Sequence, residues 1–369
     1  MPGSSDSSLR AKFEFLSGHA WLDAMLVFLP AAAVLEFTHA SGLWIFFAAA
    51  LAIVPLAGFL GDATEALAAQ TGPALGGILT ATLGNATELI IGIFALRAGH
   101  IEVVKASLSG SIIANLLLVL GASIVVGGVK HGEQKFSKRL VSANCTMLFI
   151  ASVALIVPAV FNLTGFAAMR GAGAALENLS LWTSGVLMLV YGASFLFVFQ
   201  ARRAVFGQEA GREEDRRALW PPVVVLVVAT VLIAWLSDVL VAALGAAGQS
   251  LGMSELFIGV VVVAIVGNAA EHATALRVAR ENKMDLAMMI SVGSSTQIAL
   301  FVAPLLVFAS VLIGQPMSLL FTGLEITGIV LSVLIVQMIS ADGQSNWFEG
   351  AELLAVYVIL GAAFYFLPV

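Results

Sequence analysis

Apolar runs of about 20 residues, the length that crosses roughly 30 Å of hydrocarbon, recur from His19 to the C-terminus and leave this chain few other ways to fold. Eleven are read, at 20–38, 42–69, 73–98, 100–128, 139–160, 177–201, 220–245, 253–280, 284–312, 319–339 and 346–367. The expected fold class is all-α: a polytopic membrane protein of eleven transmembrane helices. Hydrophobic residues fill 60% of the 369 positions and charged residues 11%, less than half of the quarter or so usual in soluble domains. The first run is longer than a signal core and is read as a retained helix, despite a faint cleavage-like Thr38-His39-Ala40. Several runs exceed a minimal span, so tilts or breaks are expected, with a kink at Pro304 in the ninth helix.

The distribution of charge orients these spans. With the N-terminus in the cytoplasm, only Arg97, Lys105 and Arg170 of the 17 basic residues fall on the outer side, as the positive-inside rule requires. Cys145 is the single cysteine and lies within an apolar run, so neither a disulfide framework nor a thiolate cluster is available. Any bound cation must be held by oxygen. Nothing in the pattern suggests nucleic acid.

One motif occurs twice. Gly84-Asn85-Ala86-Thr87-Glu88 returns as Gly267-Asn268-Ala269-Ala270-Glu271, and the same offset carries Gly76 onto Gly259 and Gly110-Ser111 onto Gly293-Ser294 without a gap. The chain therefore divides into an N-terminal segment with an extra helix (1–40), a first repeat of five helices (41–201), a linker (202–219) and a second repeat of five (220–369). Five is odd, so consecutive repeats enter the membrane from opposite sides, the inverted plan of many secondary transporters with sites at the midplane. The linker, with five arginines and Glu209, Glu213, Glu214 and Asp215, reads as a cytoplasmic tether.

Glu88 and Glu271 fall deep within their runs, where an ionised carboxylate is costly unless it faces a cavity and finds partners. On a continuous helix Gly84, Asn85 and Glu88 would share one face, and the second repeat copies this. The glycines permit close helix approach or a local break that exposes carbonyls. Asn85 and Asn268 add amide oxygens, and Ser111, Ser294 and Gln297 on the following spans add more. The position matching Gln297 is Ala114, with Asn115 adjacent. The result is an all-oxygen set with two carboxylates, suited to Ca2+. Without the cation, two crowded acids in a poorly solvated cavity take up protons instead. Competition at one site then couples Ca2+ to H+ with no separate proton wire.

Other polar residues rank lower. Asp62 and Glu65 lie near the cytoplasmic end of the second helix and could attract cations there. His272 points about 100° away from Glu271 around the helix and reads as a polar neighbour. Glu36, Asp238, Glu255, Glu325 and Glu352 read as interfacial or structural.

Taken together, Gly84-Asn85-Ala86-Thr87-Glu88-Leu89-Ile90, Gly267-Asn268-Ala269-Ala270-Glu271-His272 and Gly293-Ser294-Ser295-Thr296-Gln297-Ile298-Ala299-Leu300 resemble the calcium/proton exchanger family of the cation/calcium exchanger superfamily. So do Gly110-Ser111-Ile112-Ile113-Ala114-Asn115-Leu116-Leu117, Gly61-Asp62-Ala63-Thr64-Glu65 and Asn346-Trp347-Phe348-Glu349-Gly350. The resemblance implies an eleven-helix antiporter with Glu88 and Glu271 as shared Ca2+ and H+ ligands, lined by Ser111, Ser294 and Gln297, and with Asp62 and Glu65 as a cytoplasmic gate. The short N-terminal segment is expected to lack the regulatory extension of plant members. No cofactor is expected, and the cell membrane of a prokaryote is the expected location. The alternatives are a Na+/Ca2+ or monovalent cation/H+ exchanger of the same superfamily and, in a different class, a cation channel. No nucleophile and base constellation beside the glutamates supports an intramembrane hydrolase.

Overall fold

The computed structural model describes residues 20–163, 172–206 and 218–367. Within them the chain forms thirteen helices: α1 (Ala20–Met25), α2 (Phe28–Phe37), α3 (Gly42–Leu83), α4 (Ala86–Arg97), α5 (Ile101–His131), α6 (Lys138–Leu163), α7 (Ala172–Phe206), α8 (Trp220–Leu251), α9 (Glu255–Gly267), α10 (Ala269–Arg280), α11 (Met284–Ile313), α12 (Gly323–Ile339) and α13 (Trp347–Tyr365). Seven described stretches are long and apolar enough to cross a membrane, and α9 with α10, bent by 61° at Asn268, makes an eighth. Residues 207–217, the acidic and basic part of the linker, and Arg170 lie outside the described residues.

The sequence spans and the helices differ where the backbone has a reason to break. The run 20–38 is divided by a turn at Leu26 and Val27. Pro30 follows by four residues, and its ring clashes with the carbonyl four positions back while supplying no N–H. The runs 42–69 and 73–98 are divided differently: α3 carries on to Leu83, with a fold-back so sharp that a Cβ on Gly76 would lie 2.4 Å from the carbonyl oxygen of Ala68. In α11 the irregularity comes before Pro304, as a π-helical stretch at Ile298–Val302.

The repeated motif marks repeated backbone. α4 and α10 begin at Ala86 and Ala269, end at Arg97 and Arg280, and are followed by α5 and α11 from Ile101 and Met284, all at one constant offset. In the connection after each short helix, Gly99 (φ +83°) and Asn282 (φ +62°) occupy the same repeat position in left-handed backbone, a conformation that glycine and asparagine tolerate best. Each following helix contains a π-helical stretch, at Ala114–Val119 in α5 and Ile298–Val302 in α11.

Two apolar clusters flank this core. α3 and α8 pack along one another with α2 against them, burying Ala49, Ile53, Leu60, Ile233 and Leu240. A second cluster joins α5, α6, α7, α11, α12 and α13 through Leu116, Leu148, Leu187, Leu300, Val336 and Leu353. α4 and α9 contribute to both, so the polar residues they carry sit at the seam. There α5 and α9 cross at glycines: a Cβ on Gly110 would lie 2.1 Å from the carbonyl oxygen of Val260, and one on Gly259 would lie 2.6 Å from Cβ of Ala106. Small residues permit such approach between membrane helices.

At one end, β1 (Gln134–Lys135) pairs antiparallel with β2 (Gln344–Ser345), tying the α5–α6 connection to the α12–α13 connection. Lys130 Nζ donates to Arg280 O at 3.1 Å and Gln134 Nε2 to Ala279 O at 3.2 Å, so donors from α5 and β1 cover the last carbonyls of α10, the negative end of its dipole. Towards the opposite end Lys105 is buried, donating to Leu320 O at 3.0 Å and pairing with Glu102 at 2.6 Å.

Candidate functional site

The two motif asparagines stand immediately before α4 and α10, where this residue ordinarily folds back to cap its own helix. Neither does so. Asn85 Nδ2 instead donates to Gln297 Oε1, and Asn268 Nδ2 donates to Ser111 Oγ at 2.8 Å. Each asparagine therefore reaches a helix of the other half of the chain. The backbone also departs from the helix there, with Asn85 at φ −103°, ψ 24° and Asn268 at φ −99°, ψ 7°. The continuous helical face expected for Gly84, Asn85 and Glu88 is thus corrected to a break, the other outcome the glycines allowed. Its physical basis is the low helix preference of glycine and asparagine.

Glu88 and Glu271 occupy the first turns of α4 and α10, where negative charge is favoured by the unpaired N–H groups of the helix start. Glu88 is buried and Glu271 half-buried. The two carboxylates are close enough to interact electrostatically. Oε2 of Glu271 is buried and accepts no hydrogen bond among the described residues. An acceptor left in that condition is where a proton or a cation gains most. Gly267 makes the closeness possible, since a Cβ there would lie 3.2 Å from Glu88 Oε1. Gly84 closes the other break, its N–H donating to Thr80 O at 2.9 Å.

Asn115 completes the cluster and was not among the expected ligands. Its Nδ2 lies 3.2 Å from Ser294 Oγ and 3.4 Å from Asn268 Oδ1, and its Oδ1 lies 3.1 Å from His272 Nε2. Ser294 in turn donates to Asn85 Oδ1 at 3.4 Å. Asn115 and Gln297 each meet an asparagine of the other half, in opposite senses: Asn115 donates to Asn268, whereas Gln297 accepts from Asn85. The strict offset pairs Gln297 with Ala114, but the π-helical stretch begins at 114 in α5 and at 298 in α11. The polar partner accordingly falls four residues after Ser111 and three after Ser294. Either spacing keeps both side chains on one helix face, a signal already present in the sequence.

A cavity of about 10 Å³, the lower limit for one water, opens beside Glu88 and Ser111 and is otherwise lined largely by apolar residues of α4, α5 and α9. No three His, Cys, Asp or Glu side chains converge among the described residues. A cation at this cluster would draw on the two carboxylates and on amide and hydroxyl oxygens, the donor set that suits Ca2+. Asp62 and Glu65 lie apart on α3, half-buried and exposed respectively. Of the remaining acids, Glu255 pairs with His100 at 3.4 Å. Glu325 is fully buried, accepting from Ser109 Oγ at 2.7 Å and from the Thr322 N–H at 2.8 Å as it caps α12.

The model of the sodium/calcium exchanger protein family matches residues 41–200 and 221–366. A Ca2+/H+ antiporter of Aphanothece halophytica is 42% identical over 94% of this chain and 96% of its own length. The chain belongs to the calcium/proton exchanger family of the cation/calcium exchanger superfamily. A second relative of this exchanger-family chain, the Ca2+/H+ antiporter ChaA of Bacillus subtilis, is 45% identical over 85% of this chain and 90% of its own. The solved structure of native YfkE superposes on this family member with a TM-score of 0.81 at 40% identity, covering 94% of this chain and all of that one.

Proposed function

We propose that this chain is a secondary active antiporter that exchanges Ca2+ for H+ across a membrane, with Glu88 and Glu271 holding either ion. The observation that carries this reading is the pair of uncapped helix starts, each with its asparagine bonded to the other half, its glutamate in the first turn, and Glu88 against Gly267 of the opposite break. Asn85, Asn268, Ser111, Ser294 and Gln297 supply neutral oxygens, and the breaks at Gly84 and Gly267 let the halves approach. Two carboxylates balance one Ca2+, and protons neutralise the same pair when it leaves. Transport, not catalysis, is the role, with the cation as cargo and no resident cofactor. The relatives named as Ca2+/H+ antiporters support this choice of ions.

The matched breaks and left-handed turns support two inverted five-helix repeats, 41–201 and 220–369, after an N-terminal segment and extra helix in 1–40 and around a cytoplasmic linker at 202–219. Eleven spans with the N-terminus inside a prokaryotic cell membrane complete the picture. The proposed cytoplasmic gate is Asp62 and Glu65 on α3, a helix that α10 packs against. The repeat-related crossings differ: Gly110 is pressed onto α9, whereas nothing lies within 4 Å of a Cβ on Gly293. In the proposed orientation this closes the outer side and opens the cytoplasmic side.

The test is Ca2+ uptake by tight vesicles containing the purified protein. A pH gradient should drive uptake, and a protonophore should stop it. Flux that persists without the gradient would favour a channel, and flux driven by Na+ in its place would favour a Na+/Ca2+ exchanger.

A further inference from the structure

A second cavity, of about 190 Å³, lies away from the ion cluster, between the start of α6 and the end of α12. It is lined by Lys138, Ser142, Cys145, Gln337, Ser340 and Ala341. These side chains bring an ammonium, two hydroxyls, an amide and a thiol, and no carboxylate. Ser340 is 5% exposed, and its hydroxyl is buried without a hydrogen-bond partner among the described residues. Lys138 makes no ion pair among those residues. It is the first residue of α6, and the N–H just before it, that of Ser137, already donates to the carboxylate of Asp285, so the cradle rests on its side chains and not on the helix end. The nearest acid in sequence, Asp342, is held by the N–H of Gln344 at 3.0 Å and does not line the cavity.

We infer that this cavity receives the phosphate of an anionic phospholipid headgroup. Its chemistry is that of a phosphate ester, which accepts hydrogen bonds from an ammonium, hydroxyls and an amide and repels none of them. Its position favours lipid over free phosphate. Lys138 precedes the apolar span Val141–Leu163 by one turn, at the level where headgroups lie. The lining stripe of α6, Lys138, Ser142 and Cys145, continues to Phe149, and that of α12 continues from Gln337 to Leu334. Phe149 and Leu334 are 41% and 40% exposed, an apolar track for acyl chains directly beyond the cradle. Lys135 and Arg139, within three residues of Lys138 in the chain, are exposed. Basic pockets between membrane helices on the cytoplasmic side bind anionic headgroups by this logic. The inference requires membrane insertion but not the exchange reaction, so the two can fail separately.

Cys145, the only cysteine, borders the cavity and is 1% exposed, so its labelling reads opening of the cavity. The full-length protein in detergent should be labelled by N-ethylmaleimide several-fold more slowly with phosphatidylglycerol than with phosphatidylcholine. Lys138→Gln should weaken that protection about fivefold, and Lys138→Gln with Ser340→Ala should remove it. Should the thiol resist labelling, native mass spectrometry reads the same point as retained phosphatidylglycerol, kept by the parent and lost by the double variant. Equal labelling or equal retention in parent and variant overturns the proposal. Equal protection by millimolar inorganic phosphate overturns the lipid as the source.

Discussion

Asn268 donates its amide to Ser111 at 2.8 Å, across the boundary between the two halves of the chain. Its counterpart Asn85 does the same towards Gln297. The side chains that would cap the site helices are used to join the repeats, which leaves the helix starts open towards Glu88 and Glu271.

If those carboxylates carry both ions, Glu88→Gln and Glu271→Gln should each reduce pH-driven Ca2+ uptake to background while the protein still inserts and elutes as a folded species. Near-normal uptake by either variant would be fatal to the assignment. In the parent, the Ca2+ concentration for half-maximal uptake should rise as pH falls on the binding side, by about tenfold per pH unit for each proton displaced. A pH-independent value would mean that Ca2+ and H+ do not compete at one site.

Asn115 contacts Ser294, Asn268 and His272, and since Ser294 keeps its bond to Asn85, Asn115→Leu should strand two buried polar atoms, Asn268 Oδ1 and His272 Nε2. One such group costs about 1–3 kcal/mol, and the loss should appear as weaker Ca2+ binding measured by calorimetry. An unchanged affinity would reduce Asn115 to a packing residue.

Gly110 and Gly293 are repeat equivalents in different surroundings. Gly110→Ala must push α5 off α9 and should destabilise the protein by about 1–3 kcal/mol. Gly293→Ala meets open space and should alter stability by no more than about 0.5 kcal/mol, yet slow turnover if this crossing closes during transport. Thermal unfolding and vesicle flux together check both; matching effects of the two variants would remove the case for an asymmetric state.

Glu325 serves as a control among the acids. Glu325→Ala removes the cap of α12 and the acceptor of Ser109, and should cost about 1–3 kcal/mol in stability. The ratio of Ca2+ to H+ moved per cycle should be untouched. A changed ratio would bring Glu325 into the transport pathway.

Much of the site was legible because its chemistry is repeated in the chain. Glu88, Glu271 and the two asparagines announce themselves by duplication, and Ser111 and Ser294 follow at the same offset. Asn115 did not, because a π-helical stretch beginning one residue out of step breaks the arithmetic that found the others. Apolar runs marked most of the helices, but hydropathy is blind to how backbone is joined. It could not show that Pro30 divides the first run, or that the chain turns back beside Gly76 while remaining helical. The interaction of His272 with Asn115 depends on tertiary approach and has no trace in spacing.

The exchanged asparagines bear on how such a chain could have arisen. One half of the chain alone would hold Asn85 without Gln297, and Asn268 with its own Ala264 carbonyl but without Ser111. The other half supplies those partners. If the repeated motifs descend from one half-length protein, two copies side by side would have exchanged these amides, and fusion of the genes would have made that partnership permanent.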